Sequence, residues 1–189
     1  MILEFPNYLD VETTKEIRDA VKPFVSHKKE TAYAWRGRNR DGNTVFITNT
    51  PELKDLDNKL HKIFTEAQQS IISHRYKPKM ASADSGYEYH LYNPNDICHY
   101  HTDGELSNPQ SDKTLLRYAS VILHLNTVHN GGELIFPEQN KNIKTEEGKL
   151  VIFPPYGMYG HYTTPSNEPR EIIATWFVYS GINIVKTNT

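Results

Sequence analysis

From Ala81 onward the pattern of this chain switches to a period of two, and that switch constrains the fold more than any other feature of the sequence. Tyr87, Tyr89 and Leu91 alternate with Glu88, His90 and Tyr92, which places the two sets on opposite faces of one strand. A turn at Asn93-Pro94-Asn95-Asp96 follows. Further strands are expected at Tyr118 to Asn126, Glu133 to Phe136, Lys149 to Phe153, Gly160 to Thr164 and Glu171 to Ser180. Turn signals separate them at Asn130-Gly131-Gly132, Glu147-Gly148, Pro154-Pro155-Tyr156-Gly157 and Pro165-Ser166-Asn167. Many short strands with regular turns specify a sandwich or jelly roll.

The first 80 residues read differently, as helical support and a hairpin. Asp10 is an N-cap candidate, and Ile17, Val21 and Phe24 recur at helical spacing until Pro23 and Ser26 end the segment. A second helix opens with Thr50 as cap and Pro51 at its first position. Along it Leu53, Leu56, Leu60, Ile63, Phe64, Ala67 and Ile71 form one apolar stripe that needs a sheet to cover it. Between the helices, Trp35 to Asn43 reads as a polar hairpin tip joining two short strands. With 189 residues the chain can bury one good core, so a single domain over 1–189 is expected, with residues 81–180 as its β core.

Charge and cysteine content exclude several functions. A net charge of -2 gives no general attraction for nucleic acid or anionic membrane surfaces. The single cysteine, Cys98, excludes an intrachain disulfide, and the first residues lack the basic and apolar regions of a leader. No apolar run reaches membrane-spanning length, so a cytoplasmic setting without membrane or nucleic-acid partners is expected. Nothing in the sequence specifies an oligomeric state.

His101-Thr102-Asp103, with His161 and Arg170 several strands later, carries the chemistry. Two imidazoles and one carboxylate can hold Fe(II) on one face and leave the other coordination positions open. If the segment is extended, alternation puts His101 and Asp103 on one side, but it puts His99 there too, so His99 competes as a ligand. Any one of the nine histidines taken alone reads as packed or surface-bound; the ordered set is what points to a metal.

The segment from Tyr89 to Tyr179 resembles the catalytic core of the prolyl-4-hydroxylase-like branch of the 2-oxoglutarate and Fe(II)-dependent dioxygenases. The pieces that match are Tyr92-Asn93-Pro94, His101-Thr102-Asp103, Leu123-His124-Leu125-Asn126, Gly131-Gly132-Glu133-Leu134, His161, and Arg170 with Trp176. The resemblance implies an all-β core, a double-stranded β-helix or jelly roll, flanked by two N-terminal α-helices and so α+β overall. It implies His101, Asp103 and His161 as iron ligands, Arg170 on the distal carboxylate of 2-oxoglutarate, and Tyr92 and His124 beside the same cosubstrate. A planar, permanently charged guanidinium suits a carboxylate. Fe(II), 2-oxoglutarate and O2 are the implied cofactors and cosubstrates, with ascorbate as a further candidate. The implied activity is hydroxylation of a C–H bond in a prolyl residue of a peptide or protein, with succinate and CO2 as co-products; a small-molecule substrate is the next choice. Collagen-type prolyl hydroxylases carry lysine where this chain has Arg170, a departure that bears on the substrate more than on the reaction class. Arg36, Arg38, Tyr156 and Tyr159 stand in segments able to meet the substrate.

Two other readings compete. His99-Tyr100-His101 followed by Glu105 has the spacing of a cupin's first metal motif, which would make the chain a metal-dependent enzyme or small-molecule binder of another kind and would leave Arg170 without a role. A catalytically silent β-sandwich would need no metal, and it leaves the whole constellation unexplained.

Overall fold

The computed structural model describes residues 1–26, 30–34, 37–72, 82–104 and 116–179. In chain order its elements are β1 (Leu3–Phe5), α1 (Val11–Val21), β2 (Glu30–Ala34), β3 (Gly37–Phe46), α2 (Lys54–Ala67), β4 (Ser82–Asp84), β5 (Glu88–Tyr92), β6 (Leu116–His124), β7 (Leu134–Phe136), β8 (Lys141–Ile143), β9 (Leu150–Phe153), β10 (Tyr162–Thr163) and β11 (Arg170–Tyr179). The strands form two antiparallel sheets. The larger runs β1-β9-β6-β11-β5-β3-β2, with β4 added to β11, and the smaller runs β10-β7-β8. This is the jelly-roll architecture expected from the alternating pattern, with the two helices giving α+β overall.

Alternation along the central strands sorts the larger sheet into two faces. Tyr87, Tyr89, Val121, Leu123, Leu150, Ile152 and Ile173 point outward, where α1 and α2 cover them with Ile17, Val21, Leu56, Leu60, Phe64 and Ala67. That is the sheet the apolar stripe of α2 required. Removing Leu60 or Phe64 fully from water contributes on the order of 1.5–3 kcal/mol each, which is why the helices stay docked. The inner face carries Tyr92, Ile122, Val151, Phe153 and Ile172, packed against Leu134, Phe136 and Ile143 of the smaller sheet. Polar side chains share this inner face, and they form the site.

Local signals explain the helix ends. Asp10 caps α1 by accepting the Thr13 N–H at 2.7 Å. Thr50 does not cap α2. Its hydroxyl donates back to the Phe46 carbonyl at 2.9 Å, and Pro51–Leu53 form a 3-10 turn before the α-helix starts at Lys54. The segment expected as a hairpin tip is also different: residues 37–43 are strand, with Thr31, Ala32 and Glu30 paired to Asp41, Arg40 and Gly42. Pairing with β2 on one edge and β5 on the other satisfies backbone groups that a long polar tip would leave to water. Three short strands, β1, β4 and β8, had no sequence signal of their own and form where a paired neighbour supplies the ladder. No described helix is long and apolar enough to cross a membrane.

Candidate metal and cosubstrate centre

His101 is not in a strand. It meets His161 in an isolated antiparallel bridge in which each backbone N–H donates to the other residue's carbonyl, at 3.0 and 2.9 Å. Residues opposed in this way project their side chains to the same face, and the two imidazole centroids stand 4.4 Å apart. Asp103 lies two residues on, in a turn, and its carboxylate oxygens are 3.2 Å from His101 Nε2 and 4.0 Å from His161 Nε2. One donor atom from each of His101, Asp103 and His161 therefore falls within 4.8 Å of the other two. His99 is not brought into this cluster. Its carbonyl serves His101 instead, because the chain bends at Tyr100, between the two histidines, and strand alternation does not carry His99 to the same side.

The rings are oriented for coordination. His101 Nδ1 donates to the His99 carbonyl at 2.7 Å, and His161 Nδ1 donates to the Tyr159 carbonyl at 3.1 Å. Each bond fixes the tautomer so that Nε2 can present its lone pair to the shared centre. Phe136 and Phe153 pack on His161 at centroid distances of 5.4 and 4.8 Å and hold the ring in place. Burial raises the carboxyl pKa of Asp103 in isolation, but the His161 and His101 rings outweigh it, and the group is held well below the usual carboxylate range. Burial also works against a charged His101, yet the neighbouring Cys98 sulfur and Asp103 raise it to about 11. A metal entering here displaces that proton. Two nitrogen donors and one anionic oxygen that converge in this way fit Fe(II) with open positions.

A second polar group lies further along the inner face. Arg170, 3% exposed, opposes Tyr92 in the ladder, and its guanidinium carbon stands 4.0 Å from the Tyr92 ring centroid. Among the described residues no carboxylate pairs with it, so a buried cation stands on the inner face of the sheet without an opposite charge. His124, fully buried, opposes Ile172 one rung away, and neither of its ring nitrogens has a partner. Burial, then the cations Arg170 and Lys149, push it down to about 3. A neutral imidazole beside an unpaired guanidinium is an acceptor site for a carboxylate.

The residues expected to meet a substrate are divided. Arg36 lies outside the described residues, as does Glu105 of the cupin spacing, and Arg38 is placed only as a backbone position on β3. Tyr156 is 41% exposed at the rim, its ring lying so close over Gly104 that a Cβ there would collide with it. Tyr159 instead receives the N-terminal ammonium and packs beside the inner core. Sequence reasoning missed Arg117, Glu88 and His90. His90 is buried and pushed down to about 4, chiefly by burial, and it contacts Thr44 Oγ1 at 3.1 Å and Glu88 Oε2 at 3.3 Å. The signal available was parity: Glu88, His90 and Tyr92 occupy the same alternating face.

Known proteins match this chain in a family model and in fold. The family model of the 2OG-Fe(II) oxygenase superfamily matches residues 87–178. No curated protein matches the chain. Among solved structures, the viral collagen prolyl hydroxylase of Paramecium Bursaria Chlorella virus-1, in complex with 2OG, superposes with a TM-score of 0.71 at 18% identity, covering 94% of this chain and 96% of that one. A Pseudomonas putida prolyl-4-hydroxylase gives 0.63 at 17% identity, covering 95% and 93%. The Trichoplax adhaerens prolyl hydroxylase, in complex with a hypoxia inducible factor peptide fragment, gives 0.66 at 18% identity, covering 94% and 83%.

Proposed function

We propose that this chain, whose residues 87–178 match the family model of the 2OG-Fe(II) oxygenase superfamily, is a 2-oxoglutarate-dependent dioxygenase that hydroxylates a prolyl residue of a peptide or protein. In this reading residues 1–189 act as one catalytic domain in which His101, Asp103 and His161 hold the iron. Arg170, with Tyr92 and His124, holds the distal carboxylate of 2-oxoglutarate. The observation that carries the site assignment is the pair of Nδ1–H to carbonyl bonds that turns both Nε2 atoms toward the Asp103 carboxylate. Three structural neighbours that are themselves prolyl hydroxylases, one of them bound to a peptide, support the substrate class.

When bound, Fe(II) and 2-oxoglutarate supply the oxidation: one O2 and one 2-oxoglutarate are consumed, CO2 and succinate leave, and one oxygen atom enters the substrate C–H bond. The protein's part is positioning. Arg170, itself buried, offers paired donors to a carboxylate, and charge-assisted hydrogen bonds away from water are strong. Tyr92 lies under the guanidinium and limits its directions. At the mouth, Tyr156 and the half-buried Trp176 present aromatic surface beside the metal cluster, suited to the apolar ring of a prolyl residue.

The test is an anaerobic titration of the apoprotein with Fe(II) and 2-oxoglutarate, followed by succinate production with proline-containing peptides. A visible charge-transfer band that needs both components, and succinate release that needs the peptide, are expected. Hydroxylation of a small amino acid and of none of the peptides would reject the prolyl-peptide substrate.

A further inference from the structure

We propose that Arg117 is a positioning residue for the metal loop: seated on the Trp176 ring, it holds the backbone carbonyl of Asp103 and so aims the carboxylate ligand. The inference rests on the metal-site reading above and extends it to a side chain outside the ligand set. Asp103 needs such a hold. The backbone pairing of this loop with the His161 segment ends at His101, and the next tie is the Gly104 N–H to the Pro155 carbonyl at 2.7 Å. The ligand stands between the two, in a turn with no ladder to fix it.

Arg117 supplies the missing hydrogen bond. Its Nη1 donates to the Asp103 carbonyl at 2.7 Å, and its guanidinium carbon lies 3.9 Å from the Trp176 ring centroid. Stacking on an indole removes most of the freedom of a long side chain, so the plane of the guanidinium is set before it meets the carbonyl. Burial works against its charge, but the Asp103 and Glu88 carboxylates favour it.

A register shift in the sheet puts Arg117 there. Strict alternation from Ile122 and Ser120 on the inner face would bring Tyr118 inward and turn Arg117 toward the helices. Between Phe177 and Val178 of β11 the pairing slips by one residue, from Ala119 to Arg117, and Tyr118 is left without a rung of its own. Tyr118 faces outward instead, its ring 4.7 Å from that of Tyr179 and its hydroxyl accepting from Gln68 at 2.8 Å. The slip reverses the parity and delivers Arg117 to the site, which is how a bulge re-aims a side chain. Trp176 sits on the same strand as Arg170 and the same inner face, six residues on, so β11 carries both the cosubstrate cation and the platform for this clamp.

Cobalt binding tests the assignment without turnover. Apoprotein is titrated with Co(II), whose absorption spectrum reports coordination geometry, in the wild type and in Arg117→Gln, Arg117→Lys and Trp176→Leu. Arg117→Gln is expected to weaken Co(II) by about tenfold or more and to alter the spectrum, as loss of an outer-shell partner does. Arg117→Lys should recover part of the affinity, and adding Trp176→Leu to Arg117→Gln should cost little more, since the two act as one unit. Should Arg117→Gln fail to fold, Trp176→Leu carries the same readout with Arg117 in place. Wild-type affinity and spectrum in the folded variants would overturn the proposal and leave the metal site standing. A wild type that binds no divalent metal would overturn both.

Discussion

His101 and His161 face each other across an antiparallel bridge, each donating its backbone N–H to the other's carbonyl, at 3.0 and 2.9 Å. Two residues 60 positions apart in sequence are thereby locked at fixed separation before any metal arrives. The backbone bonds set where the rings start, and the Nδ1 bonds to the His99 and Tyr159 carbonyls set which nitrogen looks inward. The bridge is independent of the side chains, so the chain can lose a ligand and keep its fold.

Replacing His101, Asp103 or His161 with alanine should therefore abolish tight Fe(II) binding and the band with 2-oxoglutarate. Circular dichroism and the cooperativity of unfolding should stay close to wild type. Calorimetric titration with a divalent metal checks the first, and a fully metal-competent His101→Ala protein would remove His101 from the ligand set.

Arg170→Ala should weaken 2-oxoglutarate by roughly ten- to a hundredfold while metal affinity changes little, because charge-assisted hydrogen bonds are worth about 1.5–3 kcal/mol. Arg170→Lys should fall between, since an ammonium offers one point of contact where the fork offers two. The loss should appear in the 2-oxoglutarate dissociation constant at saturating metal.

The distribution of what the sequence revealed follows from range of interaction. The central strands and both helices were legible because period and caps are local: Glu88, His90 and Tyr92 against Tyr87, Tyr89 and Leu91 sort themselves by alternation alone. The short strands β1, β4 and β8 were not, since each exists only through its partner. The exclusion of His99 depended on the bend at Tyr100, and the placement of Arg117 on a slip of one residue in the register. Both are long-range consequences that no window of the sequence contains. Arg40 was assigned to a loop tip by composition, although its backbone is paired strand and its guanidinium donates to Thr44 at 2.9 Å.

His124→Phe separates a binding role from a structural one. The wild-type imidazole is fully buried with two nitrogens unpartnered, a state that costs stability. Phenylalanine removes the polar atoms at similar volume, so the metal-free protein should be as stable or more stable in urea. The affinity for 2-oxoglutarate should nonetheless fall about tenfold, the worth of one hydrogen bond to a charged group. A destabilised variant with unchanged affinity would mean that His124 serves the core.

Acid should loosen this fold through its buried neutral histidines. His90 is pushed down to about 4, first by burial and then by Arg40 and Arg170, against the opposing pull of Glu88. It is packed from β3 by the Thr44 hydroxyl, and Ile172 of β11 opposes it in the ladder. In the unfolded chain it titrates near 6.5. Between those values the unfolded state binds the proton and the folded state does not, so stability must fall as pH falls. It is fully present above about pH 6.5 and lost progressively toward pH 4, with about 2 kcal/mol gone by pH 5 from this residue. His124, at about 3, adds a change of the same sign. Urea unfolding of the metal-free protein at pH 7 and pH 5 measures the difference, and His90→Gln should flatten it. An unchanged slope in that variant would mean that His90 titrates alike in the folded and unfolded chain, so that the Glu88 carboxylate offsets the effect of burial.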